Sequence, residues 1–152
     1  DDITRTGVVD DVTEVRWDIR PAPRWGTLEF RACDSASTLT EFGAVAALIH
    51  CLTDHLSTRL DRGEEPTSLA PWYVRENGRE SLVSDDLREL VDTLSETAER
   101  LGCGAELASI VDILDAGASY QRQLRVAEAH GGDLTAVVRS LAHELRHGIT
   151  PV

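Results

Sequence analysis

RWDIRPAPRWGTLEFRACD, residues 16–34, contains two short stretches in which polar and apolar side chains alternate. Alternation with a period of two, carried by aromatic and β-branched residues, is typical of half-buried strands. We expect Pro21 and Pro23 to end the first strand, because proline cannot donate to a ladder, and Gly26 to turn the chain back. The stretch therefore predicts an antiparallel strand pair, with an apolar face made by Trp17, Ile19, Leu28 and Phe30.

The polar face of this pair is a candidate binding surface. Glu29 and Arg31 would lie ~7 Å apart along one strand, and Asp18 and Arg20 would form the adjoining row. A carboxylate can hold a hard cation such as Mg²⁺, and guanidinium groups can neutralise phosphate oxygens. The alternative is a solvated hairpin whose cross-strand ion pairs contribute little stability. The pattern by itself favours this second interpretation.

The rest of the chain predicts about five helices. Thr38 and Glu41 form a capping-box pattern that opens the first of them. Further helices are expected to begin near Ser84, to end at Gly102 and Gly117, and to begin again after Asp133. Apolar stripes at helical spacing predict the buried faces, which in the first helix are Leu39, Phe42, Val45, Ala46, Ile49, Leu52, Leu56 and Leu60, and in the last Leu134, Val137, Val138, Leu141 and Leu145.

These elements define an α+β fold in one unit, with strands in residues 1–36 and mainly helices in residues 37–152. A lone hairpin is marginally stable in water, so we expect this one to belong to a larger sheet whose other strands lie upstream. The absence of an initiator Met leads us to expect either a processed protein or a piece of a longer chain.

Composition excludes several classes of function. The 152 residues carry a net charge of −12, and the arginines are dispersed among carboxylates, which argues against nucleic acid and anionic membranes as partners. No apolar run is long enough for a membrane span. The cysteines Cys33, Cys51 and Cys103 are odd in number and widely spaced, which favours packing roles in a reducing cytoplasm.

One motif suggests a different chemistry. HELRH, from His143 to His147, fits the HExxH pattern, in which two imidazoles on one helix face bind zinc and Glu144 acts as a base. A catalytic zinc site usually needs a third protein ligand downstream, and none follows His147 in this sequence. We therefore treat a zinc hydrolase as a minor alternative.

The stretch WDIRPAPRWGTLEFRACD resembles the signature of the carboxylate–amine ligase family, also called glutamate–cysteine ligase type 2. The resemblance continues in order through STLTEFGAVAALIHCL, PWYVREN, ERLGCGAEL and GASYQRQ, and matches the C-terminal part of the catalytic domain. The family is related to glutamine synthetase. The resemblance implies that Glu29 is a metal ligand, that Arg31 contacts phosphate or substrate as a catalytic residue, and that Arg20 binds the nucleotide phosphates.

The sequence departs from the related patterns at two places, and the second bears on substrate binding. Thr27 stands where the related glutamine synthetase strand has its first Arg. A basic, aromatic block that usually follows the REN motif is absent between Asn77 and Gly78, either because it is deleted or because it is a mobile loop that these 152 residues do not include.

The resemblance implies ATP-dependent amide formation with Mg²⁺, through an acyl phosphate, on small-molecule amino-acid substrates. It also implies a missing N-terminal part of the same domain and allows a homo-oligomer. We expect this piece to be inactive alone. The alternative from another class is a non-catalytic helical interaction domain or an inactive relative.

Overall fold

A computed structural model describes residues 2–64 and 83–149, which form two compact units, Asp1–Ser35 and Ala36–Val152. The first unit contains helix α1 (Asp2–Arg5), a 3₁₀ turn (Val12–Glu14) and strands β1 (Ile19–Ala22) and β2 (Thr27–Phe30). The second unit contains helices α2 (Leu39–Asp61), α3 (Val83–Leu101), α4 (Gly104–Ala116), α5 (Ser119–Ala129) and α6 (Leu134–His147). The α+β class is therefore confirmed, whereas the assignment to a single domain stays a prediction.

The two strands form the predicted antiparallel hairpin. Their register pairs Arg20 with Glu29 and Pro21 with Leu28. The turn between them is closed by a hydrogen bond from the Trp25 N–H to the Ala22 carbonyl, and Gly26 takes a positive φ of 62°. Only glycine adopts such a backbone conformation freely, which is why Gly26 was a correct indication of the turn.

The expectation that Pro21 ends the first strand was wrong, since β1 continues to Ala22. The Arg31 N–H donates to the Asp18 carbonyl at 2.7 Å. Hydrogen-bonded and non-hydrogen-bonded pairs alternate along an antiparallel ladder, so the residues of β1 and its approach that bond to the other strand are Asp18, Arg20 and Ala22. Pro21 occupies the position between them, where the backbone nitrogen points away from β2 and no ladder bond is lost. Proline on that outer edge disfavours a further strand beside β1.

Helix α2 begins as predicted. The Thr38 hydroxyl accepts from the Glu41 N–H at 3.0 Å, and the Glu41 carboxylate accepts from the Thr38 N–H at 3.1 Å. Asp133 caps α6 in the same way by accepting from the Thr135 N–H at 2.8 Å. Ser84, in contrast, lies inside the first turn of α3 and does not precede it.

Three helices, α2, α3 and α4, supply the buried core of the second unit. Leu94 on α3 and Leu107 on α4 are almost completely covered. On α2 the buried side chains are small, and this lets the neighbouring helices approach closely. The core residues are Ala44, Ala47, Cys51, Val91, Leu94, Ala98, Leu107 and Ile110.

The predicted buried stripe of α2 was wrong at five positions, Leu39, Phe42, Val45, Ala46 and Leu60, four of which lie in the first half of the helix. Leu39 and Phe42 are 77% and 66% exposed, and Val45 and Leu60 are also exposed. The helical periodicity of the large apolar residues predicted one buried face, whereas α2 buries the adjacent face, which carries small residues. The predicted stripe of α6 was also wrong in part, since Val137 is buried but Leu134, Val138 and Leu145 are exposed, and the other buried residue is Glu144.

Replacement of Leu94 by Ala should lower the free energy of unfolding by about 2–5 kcal/mol, because it opens a cavity in the core. Leu39→Ala removes the same atoms from an exposed position and should change stability by about 0.5 kcal/mol or less. Urea denaturation followed by circular dichroism measures both. A larger loss for Leu39→Ala would mean that the large-residue stripe is the buried one.

Candidate active site

The polar face of the hairpin brings together the three predicted site residues. The register places Arg20 directly opposite Glu29, and Arg31 lies two residues after Glu29, just beyond the end of β2. Glu29 Oε2 accepts hydrogen bonds from Arg20 Nε at 3.0 Å and Nη2 at 2.5 Å, while Arg31 Nε is 3.8 Å from Glu29 Oε1. One carboxylate therefore lies between two guanidinium groups.

The two arginines differ in how much of their hydrogen-bonding capacity is used. Arg20 is 15% exposed and also donates through Nη1 to the backbone carbonyls of Thr13 and Val15. Arg31 is 29% exposed, and within the described residues its side chain makes only the ion pair with Glu29. Arg20 is thus fixed by the fold, whereas Arg31 keeps donors that can meet a ligand.

Glu29 fits part of a cation site. Its side chain is 44% exposed and its Oε1 has only the distant contact with Arg31, so this oxygen can face a cation. Mg²⁺ prefers near-octahedral oxygen coordination and commonly uses one or two protein carboxylates. Among residues 2–64 and 83–149, no group of three potential metal ligands lies together. Among the described residues, Glu29 could therefore serve as one ligand of such a site, and the assignment stays a prediction.

The apolar face of the hairpin is only partly covered. Trp17, Ile19 and Leu28 are about half exposed, at 49%, 51% and 50%. A two-stranded sheet with one bare apolar face is marginal in water. This agrees with the expectation that the hairpin belongs to a larger sheet, which stays a prediction.

A second polar cluster, which the sequence patterns did not identify, lies in the helical unit around Arg122. The Arg122 guanidinium binds Glu144 through Nε and Nη2, both at 3.1 Å, and Glu41 through Nη2 at 2.6 Å. It also donates to the Gly117 carbonyl at 2.6 Å and to the Ser37 hydroxyl at 3.1 Å. The cluster joins the start of α2 to α5 and α6.

Burial and hydrogen bonding act in opposite directions on the Glu41 carboxyl. Its side chain is 10% exposed, and this burial opposes ionisation. Hydrogen bonds from Ser37 and from Arg122 outweigh that effect, so the pKa of Glu41 lies below its ordinary value of 4.5. The same carboxylates raise the pKa of Arg122 against the effect of its burial. The cluster is therefore a charged, fully paired group inside the unit.

The Arg122 cluster also decides the interpretation of HELRH. Both carboxylate oxygens of Glu144 are engaged by Arg122, and the Glu144 side chain is buried. The rings of His143 and His147 lie on the exposed side, with centroids 4.5 Å apart. Glu144 is therefore not placed as a base beside a zinc ion held by the two histidines.

The sequence signals for the Arg122 cluster were present but indirect. Glu41 was recognised as the capping-box residue and Glu144 as the middle of HELRH, and Arg122 lies in GASYQRQ. Nothing in these three segments shows that they meet, because the contacts span 81 and 22 positions along the chain.

Comparison with known proteins places the chain in a family. The protein-family model described as glutamate-cysteine ligase family 2 (GCS2) matches residues 1–140 of the chain. The chain therefore belongs to this family of glutamate–cysteine ligase type, as the resemblance in the sequence had implied. No solved structure matches the chain.

Bacterial relatives named "Putative glutamate--cysteine ligase 2" match over nearly the whole chain. The Leifsonia xyli subsp. xyli protein is 55% identical over 97% of this chain and 44% of its own length, and the Clavibacter sepedonicus protein is 53% identical over 97% and 43%. The Mycobacterium tuberculosis protein is 47% identical over 95% and 43%. The chain thus spans less than half the length of the curated relatives it matches.

The first of these matches extends over 166 positions, although the chain has only 152 residues. The relative therefore has residues with no counterpart here, which agrees with a block missing from the family pattern. The predicted position of that block, between Asn77 and Gly78, lies outside the described residues. Within the residues that are described, no helix is both long and apolar enough to cross a membrane.

Stability should depend on pH through Glu41. A carboxyl whose pKa is lowered on folding stabilises the protein above its ordinary pKa, and this contribution disappears as the pH falls through the lowered value. Glu41→Gln keeps the capping geometry but removes the charge beside Arg122. We expect the variant to lose about 1–3 kcal/mol in the free energy of unfolding at pH 7. On acidification, the variant should lose less further stability than the parent does, because it no longer has this carboxylate to protonate.

Urea titrations at several values between about pH 6 and pH 3 measure this difference. Glu106→Gln, at an exposed position in α4, is the matched control and should keep the pH dependence of the parent. Equal pH slopes in the parent and in Glu41→Gln would contradict the assignment.

Proposed function

We propose that this chain is the C-terminal part of the catalytic domain of an ATP-dependent carboxylate–amine ligase of glutamate–cysteine ligase type, with a role in thiol biosynthesis. Support comes from membership of the family, from the names of the relatives and from the hairpin. The observation that carries the proposal is the register that sets Arg20 against Glu29, with Arg31 beside them. Because of this register, the Glu29 carboxylate lies between the guanidinium groups of Arg20 and Arg31.

The proposed reaction has two steps. The side-chain carboxylate of an amino acid, glutamate in the type reaction, attacks the γ-phosphorus of ATP and releases ADP, forming an acyl phosphate. The amine of a second amino acid, cysteine in the type reaction, then attacks the acyl carbon, expels inorganic phosphate and loses a proton. Such catalysis depends mainly on positioning and charge neutralisation, so no protein nucleophile is required.

Each hairpin residue has a proposed role. Arg31, with donors to spare and partial exposure, contacts the transferring phosphate or the substrate. Glu29 is one oxygen ligand for Mg²⁺, which when bound would neutralise the phosphate charge. Arg20, held by the Thr13 and Val15 carbonyls, fixes the Glu29 carboxylate and contributes positive charge toward the nucleotide phosphates.

A non-catalytic interaction domain is the second candidate. Exposed apolar side chains on α2 and α6 are the observation in its favour, since large exposed apolar groups often mark contact surfaces. The same groups fit the ligase proposal if the remainder of the catalytic domain covers them. Activity measurements on hairpin variants separate the two candidates, because an interaction domain does not need Glu29.

Glu29→Gln in the full-length protein should lower kcat about 100-fold or more, because the amide keeps the shape but loses the anionic oxygen that binds the cation. ADP release coupled to NADH oxidation, with glutamate and cysteine as substrates, measures the rate. Glu14→Gln, an exposed change in the same unit, should behave as the parent. Turnover of the Glu29→Gln variant within twofold of the parent would exclude the proposed role.

The 152-residue chain assayed alone should give no turnover.

Arg31→Lys tests whether a planar guanidinium is needed. Lysine keeps the charge but cannot bind phosphate oxygens bidentately, so kcat/KM for ATP should fall about tenfold or more. Arg24→Lys is the matched control, since Arg24 is exposed in the hairpin turn and stacks on Trp25 with 5.1 Å to the ring centroid. Equal kinetics in the two variants would show that Arg31 contributes only charge or nothing.

A further inference from the structure

Two of the three cysteines meet inside the helical unit. Cys51 lies on α2 and is fully buried, and Cys103 immediately precedes α4 and is partly buried. Their sulfur atoms are 3.5 Å apart. Cys33 is exposed and belongs to the other unit. The wide sequence spacing, which argued against a disulfide framework, therefore does not separate Cys51 from Cys103 in space.

The position of Cys103 is unusual for a packing residue. It is the N-cap of α4, yet its side chain makes no capping hydrogen bond. The corresponding residues of α2 and α6, Thr38 and Asp133, both cap their helices. The Cys103 backbone is fixed by hydrogen bonds to the Ala98 carbonyl and from the Leu107 N–H, both at 3.0 Å. The thiol is thus held toward Cys51 and does not cap the helix.

We infer that Cys51 and Cys103 form a site of reversible oxidation, at which a disulfide links α2 to the start of α4. A disulfide needs a sulfur–sulfur distance of about 2 Å, so the two sulfur atoms must approach by roughly 1.5 Å. Side-chain rotation and a small adjustment between two packed helices can supply that movement. This inference concerns the helical unit alone and does not depend on the proposed ligase function.

The more exposed thiol reacts first. Burial, with the neighbouring Cys103 thiol as a second cause, raises the pKa of Cys51 to about 11, so Cys51 stays protonated and is not the thiol that attacks peroxide. With hydrogen peroxide as the oxidant, Cys103 sulfur attacks the O–O bond to give a sulfenic acid and one water. Cys51 sulfur then forms the S–S bond and expels the hydroxyl as a second water. The two thiols lose two electrons and two protons, and peroxide takes them up.

The test is oxidation of the 152-residue chain with hydrogen peroxide, followed by non-reducing peptide mass mapping. We expect the mass of two hydrogen atoms to be lost and one cross-linked peptide pair to contain Cys51 and Cys103. Because the cross-link closes a long loop, the midpoint of thermal unfolding should rise by roughly 5–10 °C and return after dithiothreitol treatment.

Two variants make the test decisive. Cys33→Ser should form the cross-link as the parent does. Cys103→Ser, which places a favourable capping residue at the start of α4, should stay folded and show no reversible rise in the unfolding midpoint. The inference is overturned if oxidation leaves the Cys51 and Cys103 peptides unlinked, or if Cys103→Ser shows the same reversible rise.

Discussion

The buried ion pairs of Arg122 hold the helical unit together where its apolar core does not reach. The core is built from α2, α3 and α4, whereas α5 and α6 meet the start of α2 through one guanidinium and two carboxylates. A buried pair of this kind adds little stability relative to an apolar substitute, but removing one partner leaves an uncompensated charge and is costly. The main effect of Arg122 is therefore to fix how the start of α2, α5 and α6 are arranged, and its contribution to the free energy of unfolding is small relative to that of an apolar substitute.

The ion pair between Arg20 and Glu29 is of a different kind. Glu29 is 44% exposed, so its attraction to Arg20 is screened by water and contributes little to stability. Three donors of Arg20 are nevertheless committed, to Glu29 and to two backbone carbonyls. The contact fixes the direction of a carboxylate at small energetic gain, which is the arrangement that a binding site requires.

Local signals in the sequence predicted local structure well. Alternation and Gly26 predicted the hairpin and hence that Arg20 lies in the row beside Glu29, whereas the direct pairing of the two comes from the register; the capping box predicted the start of α2. Pro21 was misjudged because its effect depends on whether its nitrogen faces the partner strand, which only the register decides. The Arg122 cluster could not be predicted, since it joins residues that share no local pattern.

Helix α2 explains why counting apolar residues selected the wrong face. It has two apolar faces, one of large residues that includes Leu39 and Phe42, and one of small residues that includes Ala44 and Ala47. Small residues let α3 and α4 approach closely, and the close approach brings Cys51 within 3.5 Å of Cys103. The large face is left exposed, at an energetic cost that a contact with further chain would offset. Under the proposed function, that face is where the remainder of the catalytic domain packs.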